Sequence, residues 1–267
     1  MTIKEAFVQL GKWIGEGDEE LEKLVNKASI QNAWFTPENI TTMLSSIQRN
    51  YLEANELDSW LGRYPERLPA TPAKVALILA GNLPLVGFHD VLCVLISGHH
   101  ALVKLSEKDD ILLPGLLRKM EQWYPPIRER ITFVDRIVNF DAVIATGSNQ
   151  SAANFERYFS RYPNIIRKNR NSVAILTGHE RSEDMKNLGN DIFSYFGLGC
   201  RNVSKLYVPQ RYDFVPLVKE LNSFKDVVNH SKYKNNYDYH LASALIGNQN
   251  YMSNDCLLLI EEDSIAS

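Results

Sequence analysis

The chain has 267 residues, 45% hydrophobic and 23% charged, with a net charge of −3. That balance describes one large or two modest folded domains with an ample core, and it excludes a disordered, collagenous or small disulfide-stapled chain. The slightly acidic charge without a long basic stripe argues against nucleic acid as an obligatory partner, and no stretch has the length and apolarity of a membrane span.

The chain opens on Met1-Thr2-Ile3-Lys4-Glu5, which is charged early and lacks the apolar run of a secretory signal. Residues 1–65 are predicted helical, with Ile3, Phe7, Leu10 and Ile14 at helical spacing. Thr36-Pro37-Glu38 supplies an N-cap, a proline at the first helical position and an early acid ahead of Ile40, Met43, Leu44 and Ile47. A polar, proline-containing stretch from Arg63-Tyr64-Pro65 to Thr71-Pro72 reads as a linker.

From Lys74 the pattern changes. Strands are predicted at 75–79, 101–105, 131–134, 142–146, 173–176 and 205–208, with helices between them at 85–96, 111–123, 151–162 and 183–196. Short continuous apolar strands alternating with helices predict an α/β fold with a mostly parallel sheet covered on both faces. Such sheets bind ligands at the carboxyl ends of their strands. The remaining sequence offers a helix over 214–221, a Tyr- and Asn-rich polar stretch at 233–239, and a strand at 257–260 with no obvious partner. It ends in Glu261-Glu262-Asp263-Ser264, most simply solvated charge.

The cysteines Cys93, Cys200 and Cys256 form no CxxC pair and fit a reducing, cytoplasmic setting. Cys93 sits inside an apolar run, as a buried structural cysteine would. Cys200 instead follows Gly197-Leu198-Gly199 on a turn between a helix and a β-rich run, where the glycines leave its sulfur open to a substrate. Upstream, the strand ending at Leu79 breaks at Gly81-Asn82 and turns apolar again from Pro84. An Asn there either stabilises its own turn or projects an amide N–H into the crevice. Read together, Cys200 and Asn82 suggest a thiol nucleophile and an oxyanion donor.

Two further strand ends suit a nucleotide. Lys104, Ser106 and Glu107 supply a cation, a hydroxyl and a carboxylate able to grip a ribose diol, or else form a solvated turn. Thr146, Gly147 and Ser148 lead into a helix, whose first N–H groups attract phosphate, or else simply cap it. Gly197-Leu198-Gly199 is not a dinucleotide fingerprint, since Asn202 takes the third glycine's place and a strand follows. His99-His100 point apart with no carboxylate or thiol at ligand spacing, so no metal site is expected.

In order and spacing these segments resemble the aldehyde dehydrogenase superfamily, and more closely its acyl-CoA reductase branch, the LuxC-like reductases. The matching elements are Asn82-Leu83-Pro84, the run from Gly98 through Val103-Lys104-Leu105-Ser106-Glu107, Thr146-Gly147-Ser148, and Gly197-Leu198-Gly199-Cys200. The resemblance implies a helical segment over 1–65, a Rossmann-type NAD(P)-binding domain over 66–190, and a catalytic-cysteine domain over 191–267 that is C-terminally incomplete. It further implies Cys200 as nucleophile and an oxyanion hole of Asn82 with the Cys200 backbone N–H. Lys104, Ser106 and Glu107 would hold the adenine ribose of NADPH or NADH, with Thr146, Gly147 and Ser148 near the pyrophosphate. Hydrolytic members carry a Glu-Leu-Gly-Gly element whose Glu activates water. The corresponding stretch here, Ile166-Arg167-Lys168-Asn169-Arg170-Asn171-Ser172, has no carboxylate. The resemblance therefore implies an acylating reductase that converts acyl-CoA or another acyl thioester to an aldehyde, and a homo-oligomer working in the cytoplasm is expected. The rival expectations are a CoA-independent aldehyde dehydrogenase and an inactive nucleotide-binding fragment.

Overall fold

A computed structural model describes residues 1–64 and 71–263. Part of the expected linker and Ser264 of the acidic end lie outside the described residues. The chain divides into two compact units, Met1–Asn169 and Arg170–Ser267.

The first unit opens with helices whose ends are written in the sequence. Helix α1 (Ile3–Glu16) starts with a capping box, in which the Thr2 hydroxyl accepts from Glu5 N–H while the Glu5 carboxylate accepts from Thr2 N–H. Asp18 caps α2 (Glu19–Gln31), and Thr36 with Pro37 starts α3 (Pro37–Ile47). One π-type turn (Gln48–Leu52) leads to α4 (Ala54–Leu61). Strand β1 (Lys74–Ile78), helix α5 (Phe88–Ile96) and strand β2 (His100–Lys104) follow. Then come α6 (Leu112–Trp123), α7 (Ile127–Arg130), β3 (Ile131–Phe133), β4 (Ala142–Thr146), α8 (Asn149–Phe159) and β5 (Asn164–Arg167). The five strands are parallel throughout, in the order β3-β2-β1-β4-β5. Strand β5 escapes the sequence pattern because only Ile165 and Ile166 mark it, and as an edge strand it leaves Ile165 exposed.

The N-terminal helices are not a separate layer. Phe7, Leu10, Ile40 and Leu52 share one core with Leu77, Phe88, Leu92, Val103 and Leu116, and Phe7 meets Phe88 edge-on at 6.3 Å. Each such side chain, fully buried, contributes about 1.5–3 kcal/mol. This burial holds the helices on the same unit as the sheet.

The second unit pairs β6 (Ser172–Ile175) with β7 (Val203–Tyr207) in parallel, joined through α9 (Ser182–Phe193) and a short 3₁₀ turn (Ser194–Gly197). The expected cofactor domain of 66–190 therefore divides at Asn169/Arg170, because β6 pairs with β7 rather than extending the five-stranded sheet. Helix α10 (Val215–Leu221), a 3₁₀ stretch (Asn222–Asn229) and α11 (Ser231–Ile246) follow. Residues 233–239 lie within α11, where two of the three tyrosines reach inward: Tyr233 Oη donates to Cys256 O at 2.7 Å, and Tyr237 Oη pairs with Ser253 Oγ at 2.5 Å, while Tyr239 is exposed. The tail strand, expected to lack a partner, has one: β9 (Leu258–Ile260) pairs antiparallel with β8 (Tyr251–Ser253). The connecting turn is made by Asn254, whose Oδ1 accepts from Leu257 N–H at 2.9 Å, with Asp255 in the left-handed region. Fully buried Cys256 and the flanking Leu257 join a core with Leu176, Leu188, Phe193, Leu217 and Leu221.

Candidate active site

Strand β1 lies between β2 and β4, from which the sheet runs out in opposite directions, so its carboxyl end is the topological switch point where α/β sheets bind ligands. The six residues expected to hold a cofactor follow β2 and β4 at this edge. Lys104 ends β2, and its Nζ donates to Asp135 O at 2.7 Å. Ser106 closes the next turn, its carbonyl accepting from Asp109 N–H at 3.0 Å and its Oγ from Lys108 N–H at 3.3 Å, while Glu107 is exposed. On the other side Thr146 ends β4, and Gly147 N–H donates to Arg167 O at 3.2 Å. Ser148 caps α8, its Oγ accepting from Ser151 N–H at 3.2 Å. A Cβ on Gly81 would fall 2.4 Å from Ser106 Oγ, and one on Gly147 would fall 2.8 Å from Ser151 Cβ, so only glycine fits either turn without displacing a neighbour. Hydroxyls, a cation, a carboxylate and a helix N-terminus around a switch point suit a dinucleotide.

Asn82 is exposed on the turn leaving β1. The helix expected from residue 85 begins at Phe88, because Leu85 adopts a left-handed conformation with φ of 55°. A non-glycine residue there is strained by roughly 1 kcal/mol or more and needs an anchor. Asp109 provides it, its Oδ2 accepting from Leu85 N–H at 2.7 Å. Burial pushes the Asp109 carboxyl up to about 7; the Leu85 hydrogen bond opposes the rise and neighbouring Asp110 adds to it.

A part-buried charge pair joins α5 to β5. Asp90 is 6% exposed, and Arg167 Nη1 donates to both of its oxygens, at 2.8 and 2.6 Å. Burial alone would raise the Asp90 pKa, yet His89 and Arg167 together hold it below the ordinary carboxylate value. His89 Nδ1 stands 3.9 Å from Asp90, and Asp90 with Cys93 draws the imidazole up to about 9. Cys93 is partly exposed with its sulfur 3.6 Å from His89 Nε2, so it is not the buried structural cysteine its apolar run suggested; Cys256 is. The stretch expected to lack a carboxylate thus acquires two through folding, Asp90 on Arg167 and Glu156 on Lys168 at 2.8 Å, and each is paired with a cation that makes it a poorer proton acceptor.

In the second unit, Cys200 is exposed on the turn between α9 and β7. Tyr195, Phe196 and Gly197 are all left-handed, with φ of 52°, 60° and 74°. One side chain organises the turn. Asn202 Oδ1 accepts from Gly199 N–H at 2.8 Å, while its Nδ2 donates to Asp191 O at 2.9 Å and Ser194 O at 3.0 Å. Replacing Asn202 by Ala is expected to destabilise the unit by about 1–3 kcal/mol and to speed amide exchange over 194–202. Urea unfolding and exchange mass spectrometry check this, and unchanged exchange would remove Asn202 from that role.

Sequence reasoning missed Asp90, Arg167, Asp109 and Asn202. A signal existed for Asp90, since a carboxylate inside the apolar helix Phe88–Ile96 demands a partner. Among the described residues no group of three or more His, Cys, Asp or Glu forms a metal site, and no helix is long and apolar enough to cross a membrane.

This architecture is that of the aldehyde dehydrogenases. An indole-3-acetaldehyde dehydrogenase in complex with NAD+ superimposes with a TM-score of 0.71 at 14% identity, covering 94% of this chain and 58% of that one. A putative aldehyde dehydrogenase, PutA from Anabaena variabilis, gives 0.68 at 18% identity, covering 98% and 61%. The family model described as acyl-CoA reductase (LuxC) matches residues 14–213, and the chain belongs to that family. A long-chain acyl-protein thioester reductase of Aliivibrio fischeri is 26% identical over 168 residues, 57% of this chain. The chain spans 35% of that relative's length.

Proposed function

We propose that this chain reduces an acyl thioester, such as a fatty acyl-CoA, to an aldehyde through a thioester on Cys200, using NADPH or NADH. The observation that carries the acylating reading is Arg167. It lies in the stretch that corresponds to the Glu-Leu-Gly-Gly element of hydrolytic members, and its guanidinium engages Asp90. Without a free base, water attacks an acyl-enzyme slowly and a thiol becomes the preferred acceptor. Membership of the LuxC family and the thioester reductase named for the Aliivibrio fischeri relative support the substrate class.

In this reading the Cys200 thiolate attacks the thioester carbonyl, the Cys200 sulfur–carbon bond forms, and the leaving thiolate departs with a proton from solvent. Asn82 donates its amide to the developing oxyanion, an interaction stronger in the transition state than in the ground state. Lys104, Ser106 and Glu107 hold the cofactor's ribose, and Thr146, Gly147 and Ser148 lie beside its pyrophosphate. The bound cofactor supplies hydride. Once the acyl carbon is reduced, the oxygen re-forms a carbonyl, the Cys200 sulfur–carbon bond breaks, and the aldehyde leaves. Glu107 favours NADH, since a carboxylate repels a 2′-phosphate.

The test is to incubate the protein with a long-chain acyl-CoA and map the product by mass spectrometry. Label on Cys200 that persists in buffer and discharges on added CoA is expected. Label confined to Cys93 or Cys256, or spontaneous release of free fatty acid, would overturn the assignment. Cofactor binding with no acylation at all would favour a nucleotide-binding unit without turnover.

A further inference from the structure

We infer that Asp109 is a positioning residue that couples cofactor occupancy at Ser106 and Glu107 to the conformation of the Asn82 turn. The inference rests on the cofactor role proposed above for those two residues. The loop Ser106–Asp110 touches the Asn82 turn at two points. Ser106 and Lys108 pack so closely on Gly81 that a Cβ there would lie 2.4 Å from Ser106 Oγ and 3.2 Å from Lys108 Cβ. Three residues beyond Asn82, Leu85 N–H donates to Asp109. These contacts bracket Asn82 on both sides in sequence.

The loop is closed on itself, with Asp109 N–H and Lys108 N–H both bonded to Ser106. Its far side is clamped by the end of α2. Gln31 Nε2 donates to Asp110 Oδ1 at 2.5 Å and to Glu107 O at 3.4 Å, and Asn32 Nδ2 donates to Lys108 O at 3.0 Å. With the loop tethered to α2, its contacts with Gly81 and Leu85 are the route by which a ribose on Ser106 and Glu107 would act on the Asn82 turn. Asp109 is also the one group in this network that is bound at a visible cost. It is 9% exposed, and its Oδ1 is buried without a hydrogen-bond partner while Oδ2 carries the Leu85 contact. An unpaired buried oxygen of this kind calls for a reason beyond packing. Holding Leu85 in its left-handed conformation is such a reason, since that conformation sets the path of the chain that follows Asn82.

The test uses the whole chain and NADH, with binding read by cofactor fluorescence and the turn read by amide exchange over residues 81–87. Saturating NADH is expected to slow exchange there by at least about fivefold, the lower end of ordinary coupling between sites. In Asp109→Leu, NADH binds with affinity within about threefold of the native protein but no longer slows the turn, because the ribose contacts remain and the link is gone. Asp109→Asn, which keeps an acceptor oxygen, restores the response. If Asp109→Leu fails to fold, Asp109→Thr replaces it, since its hydroxyl is one bond shorter than the carboxylate. Bound NADH that leaves exchange over 81–87 unchanged in the native protein overturns the coupling and spares the cofactor reading. So does slowing that persists in Asp109→Leu. Failure of both NADH and NADPH to bind the native protein overturns the cofactor reading and the coupling with it.

Discussion

Cys200→Ala is expected to abolish acyl-enzyme formation and to lower acyl thioester reduction by about 10⁴-fold or more, the scale seen when a covalent nucleophile is removed. Cofactor binding should survive, because Lys104, Ser106, Glu107, Thr146, Gly147 and Ser148 all belong to the first unit and Cys200 to the second. The thiol stands exposed on a turn held by Asn202, so its loss removes a reacting group without removing a packed one. Asn82→Ala serves as the graded comparison. It should cost on the order of 100-fold in kcat with little change in KM, since the amide is used only when an oxyanion develops. Steady-state kinetics with an acyl-CoA and NADPH or NADH, alongside cofactor titrations, measure both variants. A Cys200→Ala protein that still reduces acyl-CoA would end the proposed mechanism. Equal loss of cofactor affinity in Asn82→Ala would return that residue to a purely structural role in its turn.

Asp109→Asn is expected to stabilise the protein, and increasingly so as pH rises. Burial lifts the Asp109 carboxyl from 3.8 to about 7, so between those values the folded chain binds a proton that the unfolded chain has already released. Where the folded state holds more protons, stability falls as pH increases; the penalty is absent below about pH 4 and complete above about pH 7. A shift of that size corresponds to at most about 4 kcal/mol, and relaxation around the group brings the expected gain nearer 2 kcal/mol at pH 8. Asn keeps the oxygen that accepts from Leu85 N–H and carries no charge to desolvate. Urea unfolding at pH 5 and pH 8 decides the matter. The two proteins should differ less at the lower pH than at the higher one, whereas parallel pH dependences would show that the Asp109 carboxyl ionises alike in the folded and unfolded chain.

The sequence by itself determined most of the first unit, because its signals are local. Thr2 with Glu5, Asp18, Thr36 with Pro37, and Ser148 each mark a helix start by side chains that bond to the nearest backbone. Continuous apolar runs such as Val75–Leu77 and Ala142–Ala145 belong in a strand buried on both faces, and the switch-point edge follows from their alternation with helices. Cys200 was likewise legible as a position where a thiol stands open. Tertiary structure decided what depends on pairing over distance. Strand β5 exists because β4 offers an edge, and β9 found its partner in the polar-looking residues Tyr251–Ser253. Residues 233–239 became helical because Tyr233 and Tyr237 could place their hydroxyls on the Cys256 carbonyl and Ser253. The charges beside the candidate site have the same origin. Asp90 lies 77 residues from Arg167, and Asp109 lies 24 from Leu85. A buried carboxylate announces in sequence that it needs a partner, but only the fold brings one to it.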